Sequence, residues 1–208
     1  MMVIPLLTKN RYMAPKLLLH IGLICCLTFS TYAQDQQVPE KLSEEQLEAF
    51  KAEAAKKIAA LSNYISIIAN KSVEMPVRQK AVDLAVKLFV DKDQIIQVSS
   101  TTKSNIRSYR IGEYLNRLRV LPYSKVEVEW YDITYVSDYR YGSDGKYYAV
   151  ATVFQKFRGY SAEGELLYED VTRKNIEISV GQYTKRIGDQ EYREWDVLLR
   201  QISVVETI

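Results

Sequence analysis

The sequence predicts an α+β domain in which N-terminal helices pack on a strongly curved antiparallel β-sheet. Three observations predict it. Apolar residues recur at helical spacing between Leu47 and Leu88. From Lys125 the period drops to two, in long β-rich stretches separated by glycine-containing turns. Within the first of these stretches, at Trp130, the apolar phase changes sides, which is what an inserted residue does when it forms a bulge and bends a strand.

Ahead of the domain, residues 1–33 have the form of a signal peptide. Lys9, Arg11 and Lys16 precede the apolar run Leu17 to Phe29, and Thr31-Tyr32-Ala33 supplies a small-residue cleavage site before Gln34. In the alternative reading, Cys25 or Cys26 is a lipid attachment site. Cleavage leaves no transmembrane anchor, since no later run is apolar enough to span a bilayer. It also removes the single histidine, His20, and both cysteines. A cysteine nucleophile, a Ser-His-Asp triad, a disulfide framework and the common zinc sites are thereby excluded. The 28 Lys and Arg fall to 25 against 26 Asp and Glu, so the net charge leaves no nucleic-acid footprint.

Residues 34–42 read as a disordered leader and 43–208 as one domain. Ser43-Glu44-Glu45-Gln46 has the form of a capping box and starts a helix over 43–70, with Leu47, Ala54, Leu61 and Ile68 recurring every seventh residue. Pro76 suits a first helical turn, and Val77, Ala81, Leu84, Ala85 and Leu88 mark one face of a second helix ending near Val90. Ile95 to Val98 reads as an edge strand. Tyr114, Leu115 and Leu118 extend a third helix over 102–121.

The first long strand begins at Lys125, and the turn Gly142 to Gly145 leads to a second. There Tyr148, Val150, Thr152 and Phe154 alternate with Ala149, Ala151 and Val153, so both faces are largely apolar and the strand is central. Ser161 to Gly164 turns into a third strand, whose Leu166, Tyr168, Ile176, Ile178 and Val180 share a face with Asp170, Thr172 and Lys174. These three polar residues either line a site or are turned to solvent by a second bulge. Gly188-Asp189-Gln190 makes the last turn, before a strand carrying Trp195, Leu198, Ile202 and Val204.

Two groups of residues suggest function. Lys103, Arg107, Arg110, Arg117 and Arg119 form a basic patch against a lone Glu113, suited either to solvent or to an acidic partner, a phosphate or a lipid headgroup. The sheet supplies the second group, with Trp130, Tyr148, Phe154 and Trp195 as candidate wall residues and Asp170 and Lys174 as polar anchors. No metal site and no cofactor motif is expected.

The segments YLNRL (114–118), VEVEWYDI (126–133), DGKYYAVATVFQKFRGY (144–160), YEDVTRKNIEI (168–178) and WDVLL (195–199) resemble exported NTF2-like (cystatin-like, cone-shaped) proteins of Bacteroidetes-type bacteria over residues 57–207. The resemblance implies helices laid across the concave side of a bent sheet, enclosing a cavity. Superfamily members include isomerases and dehydratases as well as noncatalytic binding and dimerisation modules. With no histidine left, the histidine-dependent form of the dehydratase chemistry does not carry over. Three functions remain open. The leading one is a noncatalytic module of the periplasm or cell envelope of a Gram-negative bacterium, or a secreted one, that binds an envelope protein or a small apolar ligand. The second is an isomerase or hydro-lyase pairing Asp132 or Asp170 with Tyr148 or Tyr168. The third is a structural homodimer.

Overall fold

The computed structural model describes residues 41–101 and 103–208, with the side chains of residues 103–104 and 132–135 outside that description. The expected signal segment 1–33 and the first seven leader residues, 34–40, lie outside the described residues, as do the side chains of Lys103 and Asp132. The last two leader residues are packed against the sheet: Leu42 donates its amide to the Tyr147 hydroxyl at 2.9 Å, and the Lys41 ammonium lies 5.8 Å from the centre of the Tyr141 ring.

Helix α1 (Glu44–Ala69) begins at the predicted capping box. The Ser43 hydroxyl accepts from the Gln46 amide at 3.2 Å, and the Gln46 side chain accepts from the Ser43 amide at 2.8 Å. Two otherwise orphaned donors of the first turn are thus satisfied, an arrangement worth about 1 kcal/mol. Ala54, Ile58, Leu61, Ile65 and Ile68 form its fully buried stripe, spaced alternately four and three residues apart. Helix α2 (Met75–Val86) carries its proline in the first turn, as expected, but stops four residues before Val90.

Strands β1 (Ile95–Ser100) and β2 (Lys103–Arg110) form a hairpin, followed by helix α3 (Ile111–Leu118). The third helix expected over 102–121 is therefore only its last part, and 103–110 is a strand. The reason lies in the face β2 turns inward. Register pairs Tyr109 with the buried Ile96 and Arg107 with Val98, so arginine and tyrosine occupy inward positions while Ile106 is exposed on the other face. An inverted pattern of this kind gives no period-two hydrophobic signal.

The remaining strands are β3 (Lys125–Val136), β4 (Arg140–Tyr141), β5 (Tyr147–Tyr160), β6 (Leu166–Ile187) and β7 (Gln190–Thr207). One seven-stranded sheet results, in the order β2-β1-β7-β6-β5-β3 with β4 beside β5. The sheet is open and mixed, where a purely antiparallel one was expected, because β1 pairs parallel to β7 at Ile96 and Ile202. That pairing also places β1 inside the sheet, and β2 takes the edge position expected for Ile95 to Val98.

The irregularity expected near Trp130 falls between Tyr131 and Tyr135, where β3 advances four residues while β5 advances two. Two residues are inserted rather than one, so the same parity faces inward on both sides: Trp130 pairs with Gln155, and Val136 with Ala151. Further register shifts occur opposite Arg173/Lys174 and Ile176/Ile178, where β7 carries the extra residues. Insertions of this kind bend and twist a strand.

Helix α1 crosses the core face of the sheet. Ser62 and Ser66 donate their hydroxyls to the Val128 carbonyl at 3.0 and 3.1 Å, and Lys57 meets Asp196 of β7 at 2.8 Å. Burial alone would raise the Asp196 carboxyl; Lys57, with Lys185 behind it, outweighs this and holds it below the ordinary range. The buried Arg78 joins the three helices, donating from Nε to the Ile68 carbonyl at 2.7 Å and from Nη2 to the Arg119 carbonyl at 3.1 Å. Both acceptors belong to helix C-terminal turns that lack intrahelical donors.

Candidate functional site

The inward face of the sheet is fixed by the pairing of β5 with β6. Ala149, Ala151, Val153, Gln155 and Phe157 stand opposite Ile178, Ile176, Lys174, Thr172 and Asp170. The register runs without a shift from the Tyr147 and Val180 pair to the Gly159 and Tyr168 pair, so no bulge turns the polar residues outward. Asp170, Thr172 and Lys174 are all buried.

Where the β1–β2 hairpin, α3 and the far ends of β5 and β6 meet, they leave a cleft of about 350 Å³. One wall comes from Val98 and Ser100 of β1 and from Asn105, Arg107 and Tyr109 of β2. Tyr114, Arg117 and Leu118 of α3, with Leu121 and Tyr123 after it, form the second wall. The third comprises Gln155, Phe157, Tyr168 and Asp170. Tyr123, Phe157 and Tyr168 pack as a ring cluster with centroids 5.8–6.3 Å apart. Gly159 lets Tyr123 lie against the sheet, for a Cβ at that position would stand 2.6 Å from the ring.

Asp170 is the polar centre of the third wall. It accepts a 2.5 Å hydrogen bond from the Tyr168 hydroxyl. Burial raises its pKa, against the opposing effects of that hydrogen bond and of Lys174. Tyr114 and Tyr123 are raised as well, by burial first and then by the charge of Asp170. Three phenols therefore surround one carboxyl group. Behind them the fully buried Lys174 donates to the Gln97 carbonyl at 2.9 Å, and desolvation pushes its ammonium down to about 8.

Two further observations concern the cleft and the core beside it. The Gln155 carbonyl oxygen is buried and has no hydrogen-bond partner among the described residues, and the same is true of the indole N–H of Trp130, its cross-strand neighbour. On the opposite walls the Arg117 guanidinium lies 4.6 Å from the Tyr109 ring centre, and neither Arg117 nor Arg107 has an ion-pair partner among the described residues.

Of the residues singled out from sequence, Asp170, Tyr168, Arg107 and Arg117 meet in this cleft. Lys174 shares their face but does not line it, and Trp130 sits beside Gln155 within the partly buried core margin. Trp195 lies toward the other end of the sheet, 6.1 Å from Tyr147. Tyr148 and Phe154 alternate with the buried Ala149, Ala151 and Val153 and therefore face away from the helices, which corrects their expected place on the cavity wall. Tyr148 donates to Asp144 at 2.6 Å, beneath the Arg200 guanidinium, and Phe154 stacks on Tyr131. Two members of the basic patch also go elsewhere. Arg110 approaches Asp93 at 3.5 Å, while Arg119 binds Gln79 and Asn116.

Tyr109, Tyr114, Tyr123, Gln155 and Phe157 were not legible as site residues. The available signal was the clustering of tyrosine. Among the described residues there is no group of three or more His, Cys, Asp or Glu able to hold a metal ion, and no helix long and apolar enough to cross a membrane. Comparison with models of known protein families, with characterised proteins and with solved structures gives no match to this chain.

Proposed function

We propose that the chain is an exported, noncatalytic binding module of the NTF2-like, cone-shaped type, and that it holds a small ligand in the cleft between the β1–β2 hairpin, α3 and the ends of β5 and β6. The observation that carries this reading is a concave site of about 350 Å³ whose walls combine apolar and aromatic surface with a few convergent polar groups, Asp170 and Gln155 among them. Helices gathered on one face of a bulged sheet support the cone. The composition of residues 1–33 supports export to the envelope. The ligand expected from sequence was apolar; the charged and phenolic walls favour an amphipathic one.

Native mass spectrometry of the protein purified from its own cells tests the reading. A retained small-molecule mass is expected, and Asn105→Trp, which adds bulk at the exposed rim, should release it without unfolding the domain. A protein partner or a homodimer carrying no adduct would transfer the function to a surface instead.

One observation favours a second reading. A buried carboxyl group with a raised pKa, hydrogen-bonded to a tyrosine at 2.5 Å, has the form of a general base beside an oxyanion donor, as an isomerase requires. Here Asp170 would take the proton, and Tyr168 would turn its single O–H from Asp170 to the enolate oxygen. Solvent-deuterium incorporation next to the carbonyl of an aryl ketone, lost in Asp170→Asn, is the outcome that reading requires; no incorporation above the uncatalysed rate excludes it for that substrate class.

A further inference from the structure

The two terminal strands of the sheet, β3 and β2, are finished differently. At β3 the backbone of Val128 is met by helix α1: Ser62 and Ser66 donate to its carbonyl, and the Ser66 hydroxyl accepts from its amide at 3.4 Å. β2 has no such cover among the described residues. Alternate residues of an antiparallel edge strand turn their amide and carbonyl away from the neighbouring strand, here β1. Over residues 105–109 none of these outward groups has a hydrogen-bond partner among the described residues. An uncovered row of this kind is a template for another strand.

The side chains along β2 decide which strand it admits. Asn105, Arg107 and Tyr109 form its inward row, and Ile106 lies on the opposite face, 52 % exposed. Arg107 is exposed and has no ion-pair partner among the described residues. Arg117, held over the Tyr109 ring, adds positive charge to the same inward face. Residues 105–110 contain neither an acidic residue nor a proline. Like charge therefore opposes pairing of β2 with β2 of a second copy, while side chains directly opposite on adjoining strands stand close enough for a carboxylate to meet Arg107.

We infer that the free edge of β2 receives an extended segment of another protein in which acidic and β-branched residues alternate, added to the sheet as a further strand. Its carboxylates lie toward Arg107 and Arg117, and its apolar side chains cover Ile106. Backbone hydrogen bonds along β2 supply the affinity, and the two rows of side chains supply the selection. Binding weakens as ionic strength rises, since the arginines are exposed. The inference does not depend on the cleft holding a small ligand.

Fluorescence anisotropy with labelled peptides tests this on the intact protein. The probe is acetyl-Thr-Glu-Val-Glu-Val-Glu-Thr-amide. One control replaces each glutamate by lysine; the other is N-methylated at its central residues, which keeps the charge and removes strand pairing. The probe should bind on the order of tenfold more tightly than either control. At saturation, hydrogen exchange should slow over residues 105–109 and stay unchanged over β3. Arg107→Glu, shown to be folded by circular dichroism and its melting curve, should lose the preference over the lysine peptide. Equal binding of the N-methylated form would mean attraction of charge without strand addition, and protection away from β2 would place the peptide on another surface; either result overturns the inference. So does a failure of the probe to bind at millimolar concentration, and none of these results bears on a small molecule retained in the cleft.

Discussion

Lys174 is the residue whose burial most clearly changes the protein's response to its surroundings. An ammonium held near a pKa of about 8 in the fold, against an ordinary value of 10.5, takes up its proton less readily there than in the unfolded chain. Between those values the unfolded chain binds more protons, so this group makes stability rise with pH by up to about 1.4 kcal/mol per unit. Its cost is fully present below pH 8. Urea midpoints between pH 8 and 10 should show the rise in the native sequence and lose it in Lys174→Met; parallel profiles for the two proteins would contradict the assignment. Gly159 makes a second, steric prediction. With a Cβ placed 2.6 Å from the Tyr123 ring, Gly159→Ala must displace that ring toward the cleft, at about 1–3 kcal/mol and with weaker binding of the amphipathic probe 4-hydroxyphenylacetate. Unchanged stability and affinity would mean that the ring has room to yield. Neither residue's role could be read from type alone. Lys174 stood in register with apolar neighbours, which made burial one of two readings, whereas the partner of Gly159 lies 36 positions away in sequence, at Tyr123.

Elements were legible wherever their signal is local. The capping box at Ser43, the first-turn proline of α2 and the glycine turn at Gly188 depend on neighbours within a few residues, and all three are present. β2 was missed because its inward face lines a polar cleft, and Tyr148 and Phe154 were expected on the inward side of β5 because both of its faces are apolar. Arg78 was missed for a related reason: a buried arginine that caps helices depends on where three separate segments meet. Replacing it with methionine fills similar space but leaves the Ile68 and Arg119 carbonyls without donors. Arg78→Met should cost roughly 2–3 kcal/mol in urea unfolding and loosen the ends of both α1 and α3 in amide exchange. A loss below about 0.5 kcal/mol, the range of ordinary surface changes, would show that water replaces the guanidinium at no cost.

At the scale of the whole molecule, the sequence conveyed the α+β class and the order of most elements. It did not convey the parallel pairing of β1 with β7, a contact between segments about a hundred residues apart that leaves no local pattern. That pairing carries the β1–β2 hairpin round to β6 and so brings Arg107 into one cleft with Asp170. Arg107 and Arg117 of the basic patch and Asp170 of the polar patch, separate in the sequence, line one candidate site. The proposed export has its own check, since N-terminal sequencing of the protein from its own cells should begin at Gln34. A lipidated start at Cys25 or Cys26 would replace a soluble module by an anchored one.

The central claim is that the inward cleft, not the outer face of the sheet, receives a ligand. Methyl NMR of the protein titrated with 4-hydroxyphenylacetate tests it most directly. Val98, Leu118 and Leu121 line the cleft, while Val150 and Leu198 alternate with core residues and face outward. Saturable shifts confined to the first three are the predicted result. Shifts concentrated on Val150 and Leu198, with the cleft methyls unmoved, would contradict the account.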